Sequence, residues 1–310
     1  MNTITLQSKF SGSLVGSALG DAIGEIAFLY PHQDGLRSQL GRLSRLSYTD
    51  DTAMAIGLAE SIVEIGGIDP EHLGRTFSEN FEREPWRGYA SGPPTIFSMV
   101  KQTGITYSEA ARRLFRGEGS FGNGAAMRVA PVGLYFHASA ALYDHVYAAS
   151  QVTHAHPVGM DGAAVQASAV AQAVTLDPKE DFQMELMIQH LNEIPRTREV
   201  KEKMALVQDL TAEGAVPGIA ADRIGRTVAV HESMPFAVYS FLRNASSFEE
   251  CLFCAVLNGG DRDTLGAMAG AISGAYLGLE AIQESWRRKL ENRAYIEQLA
   301  FKLAEMAVKA

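Results

Sequence analysis

Two rows of glycine at four-residue spacing constrain this chain most. Gly12, Gly16, Gly20 and Gly24 form one row; Gly266, Gly270, Gly274 and Gly278 form the other. Residues four apart share one face of a helix, and both rows lie in apolar runs. Glycine inside a helix costs about 1 kcal/mol relative to alanine, so such rows need a packing reason. The spacing predicts two buried helices that cross tightly, backbone to backbone, at the centre of the molecule. A glycine seam between membrane helices is the competing use of this spacing. Asp21 interrupts the first run, and no run is read as reaching the roughly 18 apolar residues of a membrane span.

Aspartates accompany both rows. Tyr48-Thr49-Asp50-Asp51-Thr52 leads into one apolar stretch, and Gly259-Gly260-Asp261-Arg262-Asp263-Thr264 leads into the second glycine row. Each reads as a polar cap feeding a buried helix, where free N–H groups and the dipole favour anions. Asp261 and Asp263 are two apart and would diverge on a regular helix. They converge only if the Gly259-Gly260 turn leaves them in an irregular entry. Four carboxylates brought together would repel and be costly to bury. A hard cation relieves that repulsion, and an all-oxygen set of Asp and Thr suits Mg²⁺, Mn²⁺ or Ca²⁺, with room for two ions. The alternative is two separately capped helices with solvated aspartates. Spacing alone does not say whether the motifs meet.

Elsewhere the apolar periodicity predicts helices over 52–66, Pro70–Phe81, from Thr95, over Tyr107–Phe115, on both sides of Thr153-His154-Ala155-His156-Pro157, and over 230–242, Phe248–Leu257 and 285–308. Residues 29–48 read as a polar loop, and 177–228 as charged surface helices and loops. No stretch alternates like a strand, so the expected class is all-α. Between Phe115 and Arg128 lies a glycine-rich segment containing Gly117, Gly119, Ser120, Phe121, Gly122, Asn123 and Gly124. Such a loop can aim several backbone N–H groups at one anion, and Phe115 and Phe121 add ring faces suited to a nucleotide. A flexible surface loop would read the same way. The segment matches neither the Walker nor the dinucleotide pattern. His154 and His156 fit a cap or packing role better than a metal site. The lone Cys251–Cys254 pair reads as two small buried residues one turn apart.

With 310 residues, one large domain or two small ones is possible. A formal net charge of −9 opposes nucleic acid or an anionic membrane as the main partner. The N-terminus lacks the pattern of a signal peptide, and cysteine is scarce, so the expected location is cytoplasmic.

Taken in order, Gly20-Asp21-Ala22-Ile23-Gly24, Tyr48-Thr49-Asp50-Asp51-Thr52, Gly119-Ser120-Phe121-Gly122-Asn123-Gly124, Thr153-His154 and Gly260-Asp261-Arg262-Asp263-Thr264 resemble the ADP-ribosylglycohydrolase family, which includes the dinitrogenase-reductase-activating glycohydrolases. The glycine block and Glu232-Ser233-Met234-Pro235 look most like its serine- and poly-ADP-ribose branch. The resemblance implies one all-α domain over 1–310, a compact orthogonal bundle around a central metal cleft. It implies two Mg²⁺ ions, with Mn²⁺ as an alternative, held by Thr49, Asp50, Asp51, Asp261, Asp263 and Thr264. The loop from Gly117 to Gly124 would hold the diphosphate and distal parts of ADP-ribose, with Phe115 or Phe121 at the adenine and His154 near the ribose. Asp261 would act as base, and Glu25 would be the weaker candidate for an acid. ADP-ribosylated proteins would be the partners, and the chain is expected to be a monomer.

Two departures stand out. The family often carries a gating glutamate seven residues after the Gly-Asp aspartate, and here that residue is Phe28. Between the metal aspartates it usually has a small residue or threonine, and here stands Arg262. An ADP-ribose-binding protein without turnover, or a metal-dependent phosphohydrolase of nucleotide diphosphates, are the rival expectations.

Overall fold

Both glycine rows lie in helices, save Gly278, which caps the end of the second, and the two helices run antiparallel in direct backbone contact. In the computed structural model, which describes residues 3–307, the first spans Thr3–Leu29 and the second Arg262–Leu277. A Cβ built on Gly20 would stand 1.9 Å from the carbonyl oxygen of Gly266; on Gly16, 2.5 Å from that of Gly270; on Gly12, 2.4 Å from that of Gly274. No side chain fits there. The expected backbone-to-backbone packing is found, and it continues over several turns because glycine recurs at every fourth position along both contact faces.

The first helix corrects one expectation. Leu6–Leu29 is apolar and long enough by composition to cross a membrane, yet 78% of its most apolar window is buried within the fold. Its apolar length is used by neighbouring helices.

Helices of the chain surround this pair, and among the described residues the only extended pairings are the isolated bridges Leu46–Leu290 and Gly122–Ala229. The fold is all-α. Asp50–Ile65 ends at Gly66, whose φ of 68° supplies the left-handed cap. Phe248–Leu257 matches its expected bounds. Within 29–48, read as a loop, Gln33–Arg42 is a helix. Only Leu36 and Leu40, four apart, are buried on it, too short an apolar stripe to outweigh Gly35 and Gly41. The expected closing helix divides into Glu284–Arg287 and Arg293–Ala307, with Asn292 at φ 52° between them. Its expected end at Val308 lies outside the described residues. Pro235 sits inside Val230–Arg243.

Candidate active site

Asp21 is the hub on which the site is built. It is fully buried on the first glycine helix. Its carboxylate accepts from the backbone N–H and hydroxyl of Thr49 and from the backbone N–H and hydroxyl of Thr52, at 2.6–3.0 Å. The start of the Asp50–Ile65 helix is thereby fixed against the glycine pair. The antiparallel register brings the start of the other helix, with Asp261, Asp263 and Thr264, to the same place. Burial raises the Asp21 pKa to about 6, against the opposing effect of its hydroxyl and amide donors.

Asp50, Asp51, Asp261, Asp263 and Thr264 line one cleft of about 630 Å³. The two motifs therefore meet. Burial, then the charges of Asp21 and Asp261, raise Asp50 to about 7. Asp51 is pushed well above the carboxylate range by burial and by Asp21, Asp263, Asp50 and Asp261. Asp263 rises to about 7 through burial and then Asp261 and Asp21. Oδ1 of Asp51 and Oδ1 of Asp263 are both buried without a hydrogen-bond partner. Mutually repelling carboxylates with unpartnered oxygens fit a hard divalent cation. Among the described residues no three carboxylate, imidazole or thiolate groups stand close enough together to hold a metal ion as they are placed. Thr49 does not line the cleft; its hydroxyl donates to Asp21.

The opposite wall carries Phe115, Gly119, Ser120, Phe121, Gly122, Asn123, Gly124 and His154; Gly117 is not part of it. Phe115, Arg116 and Gly117 all take positive φ, a strained path for the first two. The expected fan of free N–H groups is narrower in fact. The amides of Gly117, Glu118 and Gly119 donate to Leu114 or Phe115 carbonyls, that of Asn123 to Val228, and that of Gly122 to Ser120 Oγ. Ser120 and Phe121 keep amides without a protein acceptor among the described residues. The rings of Phe115 and Phe121 are 60% and 46% exposed, which leaves their faces to a ligand.

Asn123, expected to touch ligand, is buried, and its Nδ2 donates to Asp261 Oδ2 at 2.7 Å and to Ser233 Oγ at 3.2 Å. Residues 226–230 reinforce this link. Arg226 O accepts from the Asp261 amide, Val228 O accepts from Asn123, and the Val230 amide donates to Phe121 O. His156 caps the Pro157–Thr175 helix through Val158 N–H. Arg262 turns away from the cleft and donates to the Val256 carbonyl at the end of the preceding helix. Cys251 and Cys254 are buried free thiols.

Glu25 is exposed, on a helix that continues past it to Leu29. Its neighbour Gly24 packs on Arg262 O and Asp263 Cα, and its charge is felt at Asp263. Phe28, one turn further, is 47% exposed.

Sequence reading missed the supporting residues. Asp21 carried a visible signal, a lone carboxylate inside an apolar glycine helix. Arg128 and Arg87 carried none. Arg87 is buried, pairs with Glu84 and Glu291 and donates to the Tyr48 carbonyl, directly before Thr49 and Asp50.

The sequence model of the ADP-ribosylglycohydrolase family matches residues 2–310. "ADP-ribosylhydrolase ARH3" of Mus musculus is 31% identical, over 94% of this chain and 90% of its own length. The protein of the same name from Homo sapiens is 29% identical, over 94% and 92%. An uncharacterised protein of Archaeoglobus fulgidus is 33% identical, over 97% of both. A solved "ADP-ribosylglycohydrolase-related protein complex" superposes with a TM-score of 0.73 at 24% identity, covering 98% of this chain and 99% of that one, and so shares the fold.

Proposed function

Because this chain belongs to the ADP-ribosylglycohydrolase family, we propose that it is a divalent-cation-dependent hydrolase that frees ADP-ribose from modified protein side chains. The observation that carries this reading is one cleft with repelling, partly unpartnered carboxylates on one wall and a glycine loop with two open aromatic rings on the other. A carboxylate centre suits hard cations, and the loop suits a nucleotide diphosphate.

Asp50, Asp51, Asp261, Asp263 and Thr264 would hold two Mg²⁺ ions, with Thr49 behind them. Bound there, the ions supply Lewis-acid polarisation of ribose hydroxyls and water. Asp261 is oriented by Asn123 and takes a proton from the attacking water. Water oxygen joins C1″, the bond from C1″ to the side-chain oxygen or nitrogen breaks, and the acceptor side chain recovers a proton. The glycine loop binds the diphosphate end, and Phe115 and Phe121 flank the base. Glu25, whose charge is felt at Asp263, is the candidate acid on the substrate side.

Product analysis tests the reading. Purified protein with Mg²⁺ is offered serine-linked and arginine-linked ADP-ribosyl peptides. Free ADP-ribose is expected from at least one of them. AMP and ribose phosphate would instead indicate a phosphohydrolase, and binding without any product would indicate a non-catalytic relative.

A further inference from the structure

Arg128 is among the largest fully buried side chains of the molecule, 1% exposed. A buried guanidinium is costly unless its donors are used. Its partners are neutral oxygens: Gly124 O at 2.9 Å, Ala149 O at 3.4 Å and Thr153 Oγ1 at 2.7 Å. Its Cζ lies 4.8 Å from the Phe77 ring centroid. The Thr153 hydroxyl, in turn, lies 2.8 Å from Nδ1 of the buried His154.

Donor counting fixes the direction of this chain. A guanidinium only donates, so Thr153 Oγ1 accepts from Arg128. A hydroxyl oxygen can accept twice, so the second bond is decided by the Thr153 proton, whose one acceptor in reach among the described residues is Nδ1 of His154. A ring that accepts at Nδ1 and is neutral carries its proton on Nε2. Burial, and secondarily the Arg128 charge, hold His154 neutral by lowering its pKa to about 3. His154 lines the cleft. Its Nε2 faces the two bare glycines of the loop: a Cβ on Gly124 would stand 2.9 Å from Nε2, and one on Gly122 3.7 Å.

We propose that Arg128 and Thr153 are positioning residues that lock His154 in its Nε2–H form, so that the ring donates a hydrogen bond to an oxygen of bound ADP-ribose. The ligand named here rests on the proposed function; the locked tautomer does not. The two glycines keep the ring's outer edge clear of side chains, and the relay behind it decides which nitrogen bears the proton.

Long-range ¹H–¹⁵N correlation spectra of uniformly ¹⁵N-labelled protein read the tautomer directly. The Nε2–H form is expected in the wild type. Thr153→Val keeps the side-chain shape and removes the hydroxyl. It should give a mixture of tautomers and weaken ADP-ribose binding about tenfold, with a moderate fall in melting temperature because buried Arg128 loses one acceptor. His154→Gln keeps an N–H donor near the Nε2 position and should bind ADP-ribose nearly as the wild type does, whereas His154→Leu should not. Arg128→Met examines the far end of the relay, and Thr153→Val decides the matter if that variant fails to fold. An Nδ1–H tautomer in the wild type, or unchanged tautomer and affinity in Thr153→Val, overturns the positioning. Equal losses in His154→Gln and His154→Leu overturn the donor role. Failure of the wild type to bind ADP-ribose overturns the proposed function and the ligand named here, while the spectrum still judges the relay.

Discussion

Asn123 donates from Nδ2 to Asp261 Oδ2 at 2.7 Å, and the two residues are 138 positions apart. One bond thus ties the glycine loop to the second aspartate motif. The 226–230 segment spans the same gap with three backbone bonds. Hydrogen bonds to an ionised group are the stronger kind, on the order of 1.5–3 kcal/mol. The two walls of the cleft are held in register before any ligand arrives, which is what a binding site needs if it is not to spend affinity on ordering itself.

The glycine pair should tolerate no side chain. Gly20→Ala places a Cβ 1.9 Å from Gly266 O, and backbone cannot move aside as a side-chain tip can. A loss of about 3 kcal/mol in unfolding free energy is expected. Gly41→Ala, at the exposed end of the Gln33–Arg42 helix with nothing within 4 Å, should instead be neutral or stabilise by up to about 1 kcal/mol. Denaturant titration of both variants checks this; equal effects would mean the helices are not in backbone contact.

The carboxylate centre should make stability depend on pH and on metal together. Asp50 and Asp263 each titrate near 7 in the folded protein and near about 3.9 when unfolded. The folded state therefore holds protons that the unfolded state has already released. Through these two groups metal-free stability falls as pH rises from about 4 to about 7, and Asp51, held higher still, extends the fall beyond that window. Mg²⁺ binds the ionised form, so it should raise the melting temperature far more at about pH 8 than at about pH 5. Asp50→Asn removes one repelling charge. It should stabilise the metal-free protein at the higher pH and shrink the gain from Mg²⁺. A gain from Mg²⁺ that is the same at both pH values, in wild type and variant alike, would place the ion elsewhere.

A Cβ on Gly122 would stand 3.3 Å from Ser120 Oγ, a tight contact that a small shift of that side chain relieves, and 3.7 Å from His154 Nε2, and the φ of Gly122 is not positive. Gly122→Val should therefore fold normally while its branches intrude on the cleft. ADP-ribose affinity should fall by at least about tenfold, equivalent to about 1.4 kcal/mol, with the melting temperature almost unchanged. Calorimetric titration with ADP-ribose decides it, and wild-type affinity would remove the loop from the binding wall.

Glu25 replaces, on this reading, the glutamate whose family position holds Phe28. The helix continues through both residues, so Glu25 stands one turn nearer the aspartates. Glu25→Ala should lower turnover by about 10², the scale of a lost acid–base group, with ADP-ribose affinity equal or higher. Phe28→Ala should leave the chemical step intact. Normal turnover in Glu25→Ala would transfer the search to another carboxylate, beginning with Asp34 in the first turn of the Gln33–Arg42 helix.

Residue spacing alone carried the glycine helices, the two aspartate entries, the aromatic-flanked loop and the all-α class. Each is a local property: a period of four, a cap before an apolar run, a cluster of residues tolerant of positive φ. The short Gln33–Arg42 helix was not legible, because two buried leucines are too weak a period against two glycines. Antiparallel register, the meeting of the aspartate motifs and the roles of Asp21, Asn123, Arg87 and Arg128 came only with the tertiary structure. Their partners lie tens to hundreds of positions away: Thr49 and Thr52 for Asp21, Asp261 for Asn123, Glu291 for Arg87, Thr153 for Arg128. A carboxylate or guanidinium in sequence shows its charge but not the donor or acceptor that will satisfy it. Folding decides that, since burying such a group is tolerable only where the packed chain supplies its partners.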